Sequence, residues 1–185
     1  MSSLKIVGLC GSLRTASLNR MALKLAGESM PPSMTLDIAD WREIPVFDGD
    51  VFAQGLPSAV AVLRERIRHA DGVVIATPEY NFSVPGGLKN AIDWLSRGDD
   101  QPFALKPVAI LTATPGPVGG ARVQYDLRKM VSQLWGHGLP KPEVFIGAAQ
   151  TKFDAQGRLT DETTRKFLTE LLAAFKPWIE RMKAK

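Results

Sequence analysis

The chain has 185 residues, of which 45% are hydrophobic, and a formal net charge of +4. That length fits one α/β domain, and that apolar content argues against disorder. The basic excess is mild and scattered, which suits an anionic cofactor or substrate and not the concentrated basic face of a nucleic-acid binder.

Residues 4–10 are almost continuously apolar and predict a first strand covered on both faces. Cys10, the single cysteine, ends this strand, has no partner for an internal disulfide and reads as a small core hydrophobe. The stretch Gly11–Arg20, GSLRTASLNR, is then a strand-to-helix turn. Ser12, Ser17 and Asn19 offer polar side chains, Arg14 a forked cation, and the helix beginning near Leu18 its N-terminal amides. The turn lacks the Gly-Lys-Ser/Thr of a triphosphate loop and the G-x-G-x-x-G of a dinucleotide fold. It reads either as a pocket for one terminal phosphate, such as that of FMN, or as an ordinary polar turn with a good N-cap.

Leu18, Met21, Ala22, Leu25 and Ala26 predict the first helix, stopped by Met30-Pro31-Pro32, and Met34–Ile38 predicts a short second strand. Residues 40–57 have no period but carry Trp41, Ile44, Val46, Phe47 and Phe52, which make either a functional loop or a plug for the end of the sheet. Ser58–Ala70 predicts a helix with Val60, Leu63 and Ile67 inward and Arg64, Glu65, Arg66 and Arg68 outward. Val73–Ala76 is the third strand. The loop Thr77–Gly87 is stiffened by Pro78 and Pro85 and opens a helix with Leu88, Ala91, Ile92 and Leu95 on one face. Val108–Leu111 is the fourth strand, followed by the loop Thr112–Gly120 and a helix with Val123, Leu127, Met130, Val131 and Leu134 inward. Residues 135–140 close that helix, with His137 in its cap, and Val144–Gly147 is the fifth strand. Phe153–Leu159 is a small hairpin or turn. Asp161–Met182 is the last helix, with a core face that includes Phe167, Leu171, Phe175 and Ile179, and with Pro177 expected to kink or break it.

Strands alternating with helices imply a three-layer α/β sandwich over residues 1–185, a single domain with a five-stranded parallel sheet in the flavodoxin-like order 2-1-3-4-5. Ligands of such sheets bind beyond the carboxyl ends of the strands, where the loops after strands one, three and four converge. The first of these loops is suited to a phosphate. Glu79–Phe82 supply backbone N–H and C=O groups to the edge of a flavin ring, with Tyr80 and Phe82 as apolar surface. Gly116, Gly119 and Gly120 let the backbone approach the ring's other side. No metal-ligand spacing and no nucleophile elbow is present. No apolar run spans a membrane and no secretory signal is seen, so a cytoplasmic location is expected, with neither membrane insertion nor nucleic acid.

On the motifs GSLRTASLNR, TPEYNFSVPGGLKNAIDWLSR and PGPVGGAR, in this order over nearly the whole chain, the sequence resembles the NADPH-dependent FMN reductase family, particularly its bacterial quinone and chromate reductases related to azoreductases. The resemblance implies non-covalent FMN, with phosphate contacts from Ser12, Arg14, Ser17 and Asn19 and ring contacts from Pro78, Glu79, Tyr80, Asn81 and Thr114. Phe82 is adjacent, and Leu18 and Gly116 complete the cofactor-binding set. It implies a homodimer or homotetramer with FMN near a subunit interface. Arg122, Tyr125 and Glu143 are then an intersubunit polar set or, on their residue types alone, solvated surface. It implies ping-pong chemistry without a catalytic side chain or a metal: NADH or NADPH passes a hydride to flavin N5, and a small-molecule quinone-type acceptor takes the electrons. Chromate, azo compounds and ferric chelates are further acceptors. The alternative is a flavodoxin-like non-enzymatic electron carrier, a class whose acidic docking surface this basic chain does not match.

Overall fold

The computed structural model describes residues 3–184. In chain order they form β1 (Leu4–Cys10), α1 (Leu18–Glu28), β2 (Met34–Ala39), α2 (Gly49–Ala53), α3 (Ser58–His69), β3 (Gly72–Thr77) and α4 (Gly86–Leu95). The remainder forms β4 (Pro107–Ala113), α5 (Ala121–Gln133), β5 (His137–Gly138), β6 (Val144–Ile146) and α6 (Glu162–Lys183). The strands run β2-β1-β3-β4-β5 with β6 also beside β4, and all pairs are parallel. This is the expected flavodoxin-like order, with one correction.

The fifth position is divided. His137–Gly138 pair with Pro107–Val108 at the start of β4, and Val144–Ile146 pair with Leu111–Ala113 at its end. The cause lies between them: Pro140 and Pro142 have no N–H to give a ladder, so the chain leaves the sheet and returns. His137 therefore sits in a strand, not in a helix cap.

Alternation along the central strands feeds two cores. Ile6, Cys10 and Val74 face α1 and α6, where Leu23, Leu172 and Phe175 are fully buried. Val7, Leu9, Val73 and Ile75 face α3, α4 and α5 through Leu63, Ile67, Leu88 and Leu127. Cys10 is buried and free, as its position at a strand end suggests.

Two expectations about helix faces fail. Arg64 is inward, only 5% exposed, and its guanidinium donates to the carbonyls of Leu95 (2.9 Å), Arg97 (2.8 Å) and Asp100. A buried cation is tolerated there because it satisfies the orphan carbonyls and negative pole at the end of α4. Phe167 is 49% exposed, because the buried stripe of α6 runs through Thr164, Leu168, Leu171, Leu172, Phe175 and Ile179 and leaves it outside. Helix α6 continues through Pro177 without a break, and Phe175 and Ile179 anchor the turns on either side in the core.

The crossover between β2 and α3 contains the short α2 and is fastened to α4. The Pro45 carbonyl accepts from Asn90 Nδ2 and Trp94 Nε1, each at 2.8 Å, and Phe47 N–H donates to Asn90 Oδ1 at 2.7 Å. Phe47 meets Trp94 edge-on at 4.9 Å.

Candidate cofactor site

Strand β1 delivers the chain to Gly11, whose N–H donates to the Ala76 carbonyl at 2.7 Å. A Cβ at Gly11 would lie 2.0 Å from Thr77 Oγ1, so only glycine lets the ends of β1 and β3 approach this closely. The turn that follows enters α1 through Ser17, whose hydroxyl oxygen accepts from Arg20 N–H at 3.2 Å as the N-cap. Ser12 Oγ accepts from Arg14 N–H at 3.4 Å. Both serine side chains are buried, and a hydroxyl that accepts within the turn still has a proton to donate. Arg14 is exposed and has no ion-pair partner among the described residues. The first turn of α1 brings the N–H groups of Leu18 and Asn19 to the same place.

The Asn19 side chain does something other than hold a phosphate. It is 2% exposed, and its amide is paired both ways with Ala113, Nδ2 to the carbonyl at 2.8 Å and Oδ1 from the N–H at 2.9 Å. It braces the first loop against the end of β4.

The loop after β3 is a tight turn. Tyr80 and Ser83 exchange N–H···O=C bonds of 3.0 Å in both directions, and Asn81 and Phe82 between them have φ of 49° and 69°. Two consecutive non-glycine residues at positive φ are strained and persist only where the surroundings hold them. Helix α5 does the holding. The Glu79 carboxylate accepts from the N–H of Arg122 (3.1 Å) and Val123 (3.3 Å) and from Arg122 Nη1 (2.8 Å). Ser83 Oγ donates to the Asp126 carboxylate at 2.7 Å, and the Arg122 guanidinium lies 4.1 Å from the centre of the Phe82 ring. The Lys129 ammonium and the Ser83 hydroxyl hold the Asp126 carboxyl below the usual range. Pro78 is buried, whereas Tyr80 and Phe82 are exposed at the mouth.

The loop after β4 is fixed by Thr114, which donates to the Ile146 carbonyl and accepts from Ala149 N–H, both at 3.0 Å. Its Oγ1 lies 3.3 Å from the Gly116 carbonyl. The three glycines divide. Around Gly116 a Cβ would meet nothing within 4 Å, which leaves its backbone open to a ligand. Gly119 and Gly120 instead pack inward, with a Cβ on Gly119 falling 2.9 Å from Gly147 N and one on Gly120 2.9 Å from Thr112 Cβ. Those two serve the fold and not the approach to a ring.

A cleft of about 320 Å³ joins the loops after β1 and β3, walled by Ser12, Arg14, Tyr80 and Gly86. Trp41, Pro85 and Gly87 also line it and were not among the expected site residues. For Trp41 the only hint in the sequence is aromatic content in an aperiodic loop, whereas Pro85 and Gly87 belong to the loop Thr77–Gly87. A larger groove of about 930 Å³ lies between α4 and α5, beside Ile92, Met130, Leu134 and Trp135, and shares no residue with the three loops. Its size does not make it the site, because its lining lacks the convergence of hydroxyl, cation and free helix N–H groups found at the strand ends. Among the described residues no group of His, Cys, Asp and Glu is arranged to hold a metal, and no helix is long and apolar enough to cross a membrane.

Residues 4–151 match the NADPH-dependent FMN reductase family profile. An NAD(P)H-dependent FMN reductase of Pseudomonas aeruginosa is 49% identical over 180 residues, covering 97% of each chain. The chain belongs to this family. A quinone reductase of Escherichia coli is likewise 49% identical over 183 residues, with 97% of each chain covered. The structure of FerB, a flavoenzyme NAD(P)H:(acceptor) oxidoreductase from Paracoccus denitrificans, superposes with a TM-score of 0.88 at 34% identity, covering 97% of this chain and 98% of that one.

Within this FMN reductase framework the three residues considered for subunit contacts lie on or beside α5. Tyr125 is 54% exposed. Arg122 is committed within the chain to Glu79 and Phe82. Glu143 is only 13% exposed at its side chain, with Lys141 Nζ at 2.6 Å and Arg128 Nε at 3.7 Å.

Proposed function

We propose that this chain is an FMN-dependent NAD(P)H oxidoreductase delivering electrons to a quinone-type acceptor. The observation that carries the reading is the convergence of three differently built loops at one end of β1, β3 and β4. One end of that mouth offers two buried hydroxyls, an unpaired guanidinium and helix N–H groups, a donor set suited to a phosphate dianion. The other offers a braced turn whose peptide groups would face a planar heterocycle, with the N–H of Gly116, unpartnered among the described residues, in the loop after β4. These residues fit FMN. The 49% identity to a protein named a quinone reductase supports the choice of acceptor.

In this reading Ser12, Ser17 and Arg14 bind the phosphate, and the N–H groups of Leu18 and Asn19 complete its cradle. Pro78–Phe82 orient the ring, with Glu79 acting through α5 to hold the turn in place. Gly116 N–H, which has no partner among the described residues, would stabilise negative charge at the ring's pyrimidine end. Bound FMN would supply two-electron chemistry between a nicotinamide and the acceptor, and no side chain of the chain need exchange a proton. A single mouth serves donor and acceptor in turn, which makes the kinetics ping-pong. The unpaired Arg14 favours anionic acceptors, chromate among them. One domain carries one FMN, in a homodimer or homotetramer, and the protein works in the cytoplasm, where NAD(P)H is available.

The test is direct. Protein reconstituted with FMN turns yellow, oxidises NADH or NADPH in the presence of a quinone, and gives parallel double-reciprocal lines. A colourless protein that FMN cannot reconstitute overturns the reading. Slow reduction by both nucleotides, with fast exchange to a protein partner, would favour the electron carrier.

A further inference from the structure

The crossover after β2 places one aromatic side chain in the cleft wall, where the cofactor reading leaves it without a role. Trp41 is 5% exposed, and its Nε1 donates to the Cys10 carbonyl at 3.1 Å, at the last residue of β1. The far edge of the same indole rests on the first turn of α4: a Cβ built on Gly87 would lie 3.3 Å from Cη2 and 3.4 Å from Cζ3. The ring therefore bridges the phosphate turn on one side of the cleft and the start of α4 on the other, and it faces the space shared with Ser12, Arg14 and Tyr80. The crossover does not depend on it for attachment, because Pro45 and Phe47 are tied to Asn90 and Trp94 independently. A rigid wall already in place reduces the ordering cost of binding.

We propose that Trp41 is a positioning residue for the flavin, a spacer that sets the distance between the phosphate turn and the first turn of α4. This rests on the FMN reading above. It explains why a tryptophan sits where any apolar residue could plug the sheet: the indole N–H reaches β1 while the six-membered ring reaches Gly87. It also explains the absence of a side chain at Gly87, which the ring edge would crowd.

The experiment titrates apo-protein with FMN and follows binding and the visible circular dichroism of the bound flavin, with an unfolding curve for each apo variant. Trp41→Ala should weaken FMN binding about tenfold and alter the flavin dichroism, and Trp41→Phe, which keeps an aromatic wall but neither the Nε1 donor nor the reach to Gly87, should fall between Trp41→Ala and the wild type. Gly87→Ala should weaken binding in the wild-type background and be harmless beside Trp41→Phe, whose shorter ring stops before it. That cycle decides the matter even if Trp41→Ala does not fold. Wild-type affinity and dichroism in Trp41→Ala, or an equal cost of Gly87→Ala in both backgrounds, would overturn the proposal. Failure of the wild type to bind FMN is a different result, which removes the cofactor reading and this inference with it.

Discussion

At the turn after β1, Ser12 and Arg14 line the cleft and Arg14 has no ion-pair partner among the described residues, whereas at the turn after β3 the side chains of Glu79 and Ser83 are already committed to α5. In the proposed reading one end of the mouth would recognise with side chains and the other with peptide groups that side chains hold in a strained shape. Substitution of the exposed Arg14 at the first should cost affinity and leave stability alone. Substitutions at the second should cost stability first and affinity as a consequence.

The largest effect is expected where the two ends meet. Gly11→Ala drives a methyl group into Thr77 and should destabilise the protein by about 3 kcal/mol in urea unfolding, with loss of FMN binding. A stable Gly11→Ala protein would show that the strand ends can spread. Next, Arg14→Ala should weaken FMN binding by about 2 kcal/mol with the unfolding midpoint unmoved, and an unchanged titration rejects its assignment to the phosphate. Glu79→Gln should do the reverse, lowering stability by about 1.5 kcal/mol because two N–H groups of α5 and Arg122 lose their carboxylate. If it weakened binding without moving the midpoint, the contrast between the two ends would be broken.

Acid sharpens the same contrast. The folded-state pKa of Asp126 is depressed, so its contribution is fully present above the unfolded value near pH 4 and is lost as pH falls through the folded value. Urea midpoints measured downward from pH 5 should therefore fall less steeply in Asp126→Asn than in the wild type. The smallest effect is that of Phe82→Leu, which removes only the stacking of Arg122 on an exposed ring and should cost about 0.5 kcal/mol.

What could be read in the sequence was what is local. The strands at residues 4–10 and 73–76 announce themselves by nearly continuous apolar runs, and the turn at Pro78–Ser83 by its proline and motif. What could not be read depends on partners far along the chain. Asn19 looks like a phosphate ligand until Ala113, 94 residues away, takes both ends of its amide. Arg64 looks solvated until the carbonyls of Leu95 and Arg97 appear, 31 and 33 residues on. Trp41 belongs to the cleft only because Cys10 and Gly87 lie on either side of it. The division of the fifth strand was visible in principle, since Pro140 and Pro142 stand where a ladder would need donors.

That division has a bearing on how the protein behaves when concentrated. The outermost position on this side of the sheet is held by segments of 2 and 3 residues separated by imino acids, too short a run of free donors for a stray chain to dock against. The flank that a longer fifth strand would have left adhesive is blunted by the same two prolines that interrupt it, with the exposed Lys141 between them, so self-templating into fibrils is discouraged at that border.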